Sequence, residues 1–276
     1  MLQPTNKIYA SANIHTQQHK DRVVVFDLDE TLGHFHLIRL VWESINNFIG
    51  FNKIPYMMGQ TDFNNLFDIF PEMLRPDILS ILQVLKKRRD DKICNGVMVY
   101  TNNKYPKEWV YLIINYIEEK LGGKIFDNIV LAFKLNGRVQ ELGRTEKAKK
   151  LSDFVACCRL PSDVEICYFD DTAFPGMMAD SVYYLKVRSY CYPYTEREII
   201  KRITVPPFLS HILCTTKPQH IAVFLQHLSR ILYMKKYTFG EKSFMEYEVD
   251  KVISKRIMTH LNTFFRDNVS IPMRIK

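Results

Sequence analysis

The sequence has no apolar run near the roughly 18 residues that a membrane-spanning helix needs, so such a helix is not expected in it. No charged-then-apolar leader opens the chain, and a secretory route is therefore not expected. CxxC pairs are missing too. The six cysteines (Cys94, Cys157, Cys158, Cys167, Cys191 and Cys214) form no regular framework and are expected to be reduced thiols in an intracellular protein. Internal repeats and low-complexity segments are absent, which sets aside solenoids and repeat arrays. What remains is 276 residues, 47% hydrophobic and 25% charged, the composition of an ordinary folded chain rather than a disordered one.

The formal charge of +8 is unevenly spread. From Thr204 onward there are 11 Lys/Arg against 5 Asp/Glu, whereas the residues before it hold 27 against 25. A basic module behind a near-neutral one suits an acidic partner such as a nucleic acid or a phosphorylated peptide. Two solvated helix faces that happen to carry Lys would give the same count.

Residues 1–20 are polar and aperiodic, the pattern of an N-terminal arm. Val23-Val24-Val25-Phe26 is a short β-branched and aromatic run, as expected for a strand buried on both faces of a parallel sheet. Leu37, Val41, Ile45 and Phe48 then recur at helical spacing, followed by a loop-rich stretch from Gly50 to Asp68. Arg75-Pro76-Asp77 opens a second helix that ends in Lys86-Lys87-Arg88-Arg89, cations where the helix dipole favours them. A strand at Val97–Tyr100 precedes a helix from about Pro106 to Leu121, stopped by Gly122-Gly123. Further strands are expected at 129–133, 166–169 and 182–185, with a hairpin turn at Asn136-Gly137 and a helix from Lys147 to Cys158. Beyond Val205-Pro206-Pro207, two more helices are marked by Ile221, Phe224, Leu225, Leu228 and Ile231, and by Val249, Val252, Ile253, Ile257, Leu261, Phe264 and Phe265.

Alternating strands and amphipathic helices predict an α/β domain over residues 21–203 built on a Rossmann-like parallel sheet, with a basic helical extension over 204–276. The apolar stripes of that extension must either dock on the α/β core or grip a partner.

Three of the apolar strands end in reactive polar groups: Asp27 and Asp29, Thr101, and Asp170-Asp171. Residues i and i+2 of a strand point the same way, so Asp27 and Asp29 can face one site. Parallel strands bring all three endpoints to one edge, along with a lysine from the cluster Lys147, Lys149 and Lys150. Four carboxylates so close cannot all stay ionised without a cation. An oxygen-only ligand set favours a hard ion such as Mg²⁺. A carboxylate nucleophile beside a second carboxylate, a metal and an ammonium suits phosphoryl transfer through an aspartyl-phosphate. Asp27 would attack phosphorus, Asp29 would serve as acid and base, and Thr101 with a lysine would hold the equatorial oxygens.

Asp27-Leu28-Asp29-Glu30-Thr31-Leu32 matches the DxDxT signature of haloacid-dehalogenase-like phosphatases, and the chain resembles their NLI-interacting-factor-like, or small C-terminal-domain phosphatase, branch. Arg75-Pro76, Val99-Tyr100-Thr101, Lys149-Lys150-Leu151-Ser152 and Phe169-Asp170-Asp171 follow in the order of that branch's motifs, over about Val23 to Ile203. The resemblance implies a Mg²⁺-dependent phosphatase with little or no cap, Asp27 as nucleophile and Asp29 as acid/base. It puts Thr31, Thr101, Asn102 and Lys149 at the phosphate. The metal would lie among Asp27, the Asp29 backbone carbonyl and Asp171, with Asp170 adjacent. It implies a phosphoserine or phosphothreonine protein as substrate, the RNA polymerase II tail being the best-known target of such enzymes. Similar chains occur in large DNA viruses, so a virion or viral factory joins cytoplasm and nucleus as an expected location. A nucleotide or polynucleotide phosphatase of the same superfamily, and a non-enzymatic adaptor on this fold, are the alternatives.

The chain departs from that pattern at Asp171, where Asn is usual, and at Asn102-Asn103, where Ala-Ser often follows. The segment 34–74 is also longer than in compact relatives of that branch. His34 and His36 lack the partners of a zinc site and are expected in the loop or core. Cys157-Cys158 has no paired His, and Tyr190 to Tyr194 is expected to pack.

Overall fold

The computed structural model describes residues 21–205, 207–214 and 218–266, so the polar stretch 1–20 lies outside the described residues. Its centre is β1 (Arg22–Phe26), flanked in parallel by β2 (Gly96–Tyr100) and β6 (Glu165–Asp170). With β3 (Phe126–Val130) outside β2 and β7 (Val182–Lys186) outside β6, the sheet runs β3-β2-β1-β6-β7, all parallel. This is a Rossmann-like α/β order. The direction of winding reverses between β1 and β6, and ligands of open α/β sheets bind beyond the carboxyl ends at such a reversal.

Strand parity divides the core. Val24 and Phe26 join the larger apolar cluster, while Val23 and Val25 face the smaller one with Tyr100, Phe154 and Tyr168. Phe26 stacks on Phe169 across the β1–β6 pair, with ring centroids 4.9 Å apart. Burying each such side chain contributes roughly 1.5–3 kcal/mol, so two fully buried faces hold the β1 and β6 ends firmly in register.

The helices α1 (His36–Phe51), α3 (Ile78–Asp90) and α4 (Lys107–Lys120) fall where apolar spacing predicts them. The expected loop from Gly50 to Asp68 is instead interrupted by α2 (Gln60–Ile69). Its stretch Gln60-Thr61-Asp62-Phe63-Asn64-Asn65 hides the helix behind polar residues. Asp62 nevertheless accepts from the Gly59 amide at 2.8 Å, and Phe63, Leu66 and Phe67 are fully buried in the main cluster. Three more boundaries move. Pro76 precedes its helix rather than opening it, since the N-cap is Asp77 in the left-handed region. β3 begins earlier than predicted because Phe126 is buried and Asp127 accepts from the Val97 amide. The helix α5 (Leu151–Cys158) starts only after Lys150, which is extended, so Lys147 to Lys150 form a strap in front of it. The Asn136-Gly137 turn joins β4 (Lys134–Leu135) to β5 (Arg138–Val139) as expected, both turn residues having positive φ.

After β7 come α6 (Glu196–Ile203), α7 (Phe208–Ile212), α8 (Pro218–Met234) and α9 (Phe244–Phe264). These last helices dock on the α/β core: Phe224, Leu228, Leu232, Ile257 and Leu261 lie in the same apolar cluster as Ile45 and Phe48 of α1. The buried face of α9 is Asp250, Ser254, Ile257, Leu261 and Phe264, whereas Val249 and Val252 of the predicted stripe are exposed. Two polar residues at the head of that face conceal its period. No described helix is long and apolar enough to cross a membrane.

Candidate active site

The β1–β6 ladder runs one step past the strand: the Asp27 amide donates to the Phe169 carbonyl at 2.8 Å. That puts Asp27 beside Asp170 at the sheet edge where the winding reverses. Lys149, delivered by the strap before α5, is fully buried between them and donates to Asp27 Oδ1 at 2.5 Å and Asp170 Oδ2 at 2.6 Å. Both oxygens of Asp170 are already occupied. Tyr168 donates a short hydrogen bond to Oδ2, and the Thr172 amide donates to Oδ1 at 2.8 Å. Oxygens of Asp27, Asp170 and Asp171 lie within 4.8 Å of one another.

Burial pushes the Asp27 carboxyl up to about 7 against the pull of the Lys149 ammonium, with Asp170 adding to the rise. Asp171 is raised by burial and by the charges of Asp170 and Glu30. Asp29 points elsewhere. Its Oδ2 accepts from Asn103 Nδ2 at 2.8 Å, and burial outweighs that bond, raising its carboxyl to about 6. Its carboxylate therefore stands outside the cluster of Asp27, Asp170 and Asp171, and only its backbone carbonyl is left as a candidate ligand.

Thr101 is buried at the end of β2, and its Oγ1 accepts from the Asn103 amide at 2.9 Å. Asn102 Oδ1 accepts from Arg144. Thr31 takes a different place from its neighbours: it is buried away from the cleft wall, and its Oγ1 accepts from the Asp171 amide at 3.1 Å. Its hydroxyl ties the first carboxylate loop to the third. Lys147 contributes its carbonyl to Arg144, and Lys150 pairs with Glu146 at the surface, so Lys149 alone of the three reaches the carboxylates.

Two arginines fix these loops. Arg75 is buried and donates from Nε to the Thr31 carbonyl at 2.6 Å, and from Nη2 to the carbonyls of Glu30 and Arg188. Arg144 donates to the carbonyls of Leu131, Thr101 and Lys147 and to Asn102, with its guanidinium over the Tyr100 ring. Arg144 escapes sequence reading, and Asn103 stands there only as a departure from the family pattern, with no role at the site. Neither belongs to a periodic face. His34 closes the other side of the loop, with Nδ1 3.0 Å from Glu30 and Nε2 3.8 Å from Cys191 Sγ. Burial disfavours its charge, but those two partners outweigh it and hold its pKa up at about 9. The buried Tyr190 and Tyr194 pack, as expected.

The carboxylates open into a cleft of about 440 Å³. Its lining includes Asp27, Asp29, Thr101, Lys149, Asp170 and Asp171 together with Phe35, His36, Arg39, Lys104, Tyr105 and Trp109. Compared with known protein families, curated proteins and solved structures, the chain matches none.

Proposed function

We propose that the chain is a Mg²⁺-dependent phosphomonoesterase of the haloacid-dehalogenase type, acting through a phosphorylated Asp27 on phosphoserine or phosphothreonine in a protein. The observation that carries this reading is the contact of one buried ammonium with two strand-end carboxylates at the sheet's reversal point. A structural ion pair has no need of two further carboxylates, Asp29 and Asp171, crowding the same edge.

The residues fit a hard divalent ion. The donor set is oxygen only, and one lysine leaves the four carboxylates in charge excess. Both oxygens of Asp170 already accept from Lys149, Tyr168 or Thr172, which leaves Asp27, Asp171 and the Asp29 carbonyl as the less encumbered ligands, with Asp170 adjacent. The bound ion would neutralise charge on the transferred phosphoryl group.

Asp27 supplies the nucleophilic oxygen. Lys149 and the Thr101–Asn102 corner face the same cleft and bind the equatorial oxygens. Asp29, held off the metal cluster by Asn103, protonates the leaving oxygen and then takes a proton from the water that releases phosphate. Its carboxyl near 6 suits both roles.

The test is hydrolysis of an aryl phosphate and of a phosphoserine peptide with Mg²⁺. Wild-type protein should turn both over, and EDTA or Asp27→Asn should abolish the activity. Undiminished turnover by Asp27→Asn would overturn the assignment.

A further inference from the structure

The lining of the cleft carries both signs of charge. Its carboxylates Asp27, Asp29, Asp170 and Asp171 share it with Arg39 and Lys104. Arg39 is the unusual member of that lining, being only 8% exposed. One of its nitrogens, Nη1, donates to the partly exposed Glu43 at 2.6 Å. Its Nε is buried without an acceptor, and its guanidinium lies over the Tyr105 ring, 4.1 Å from the centroid. An arginine this buried and this incompletely paired costs stability, and packing alone gives no reason to keep it facing a cleft.

Its place relative to the chemistry follows from a short chain of contacts. Asn103 donates from Nδ2 to Asp29 at 2.8 Å and accepts the Tyr105 amide on Oδ1 at 2.9 Å. Tyr105 in turn stacks on Arg39. One loop thus connects Asp29, the acid of the proposed mechanism, to the guanidinium. Arg39 comes from the first turn of α1, within the long segment 34–74.

We propose that Arg39 selects phosphomonoesters carrying a second anionic group, a phosphate or a carboxylate, on the leaving-group side of the scissile phosphate. This rests on the phosphatase reading above and adds the substrate class. An incoming anion would meet a guanidinium already oriented by the Tyr105 ring, with the exposed Lys104 as a second cation. The shared chemistry has two sources. One is an acidic or phosphorylated residue flanking the target in a peptide, and the other is a second phosphate on a small molecule.

The experiment measures kcat/KM for phosphoserine peptides that differ only in one flanking residue: Ala, Glu or a second phosphoserine. A small-molecule arm compares an aryl phosphate with its carboxylated and doubly phosphorylated analogues. Wild-type protein should prefer the doubly anionic member by about tenfold or more, the scale of one charge-assisted hydrogen bond. Arg39→Met, which keeps the stem over Tyr105, should bring that ratio near one, and Arg39→Lys should restore part of it. A ratio unchanged in Arg39→Met, with both substrates slowed alike, means Arg39 only props the loop and overturns the proposal. So does the absence of any preference in wild type. Preference in the peptide arm alone assigns the second anion to a flanking residue, and preference in the small-molecule arm alone assigns it to a free metabolite. If no phosphomonoester is hydrolysed, the phosphatase reading fails on its own. Equilibrium binding of the same peptides to wild-type and Arg39→Met protein then decides Arg39, equal Kd values for the Ala and phosphoserine forms in wild type overturning its role. Should Arg39→Met not fold, the wild-type ratios and Arg39→Lys carry the test.

Discussion

Lys149 is where folding and chemistry compete most directly. It is fully buried, and its ammonium contacts both Asp27 and Asp170. Replacing it by Met leaves two buried carboxylates facing each other across the β1–β6 edge. Breaking a buried pair from one side costs about 3–5 kcal/mol. Lys149→Met should therefore lower the urea midpoint by that equivalent with an unchanged m-value, measured at neutral pH in EDTA to keep divalent ions away. A midpoint within error of wild type would mean the carboxylates relax into solvent when the ammonium goes, and that the pair does not hold the site together.

The strand-end carboxylates were legible because strand parity and burial determine where they go. Asp27 and Asp170 end two runs of buried β-branched or aromatic residues, and such runs have few alternative places in a sheet. The supports were not legible. Arg144 binds three loops through carbonyl contacts, and carbonyls carry no side-chain signature. The helix α2 was lost to its own polar residues, whose roles are local: Asp62 caps the first turn and takes the Tyr56 hydroxyl, while Asn64 reaches Glu119 of α4. At this level α6 is joined to the end of α2 by one carboxylate. Arg202 holds Glu72 in a bidentate pair at 2.8 and 2.9 Å, and Tyr194 donates to the same carboxylate at 2.6 Å. Burial acts to raise the Glu72 carboxyl, but the Arg202 and Tyr194 hydrogen bonds outweigh it and hold it below its ordinary value. A carboxyl lowered in the folded state stabilises the fold above its unfolded pKa, and that contribution is lost as pH falls through the folded one. Arg202→Gln should cost roughly 1–3 kcal/mol at neutral pH. The gap to wild type should close as the pH drops below the ordinary carboxylate range. Thermal denaturation of both proteins between pH 7 and pH 3 reads this out, and a gap constant across that range would assign the loss to packing of the arginine stem instead.

Across the whole molecule, the basic helices after residue 204 are part of the same core as the sheet's helical layer. Phe224 of α8 is fully buried, with its ring 5.3 Å from that of Phe48 on α1 in an edge-to-face arrangement. Arg88 of α3 likewise donates to the Leu261 carbonyl and Asn262 of α9, and its guanidinium lies over Phe265. Both contacts fall on the helical layer, away from the carboxyl edge of the sheet where the cleft opens. The helix α1 has two duties: its first turns carry His36 and Arg39 to the cleft, while its last turns hold α8 through Ile45 and Phe48. Phe224→Ala should destabilise the fold by about 3–5 kcal/mol in one cooperative transition, because Phe224 and Phe48 belong to one apolar cluster. Two resolved transitions in calorimetry, with the second unchanged from wild type, would show that α8 and α9 melt alone and that the cleft does not depend on them.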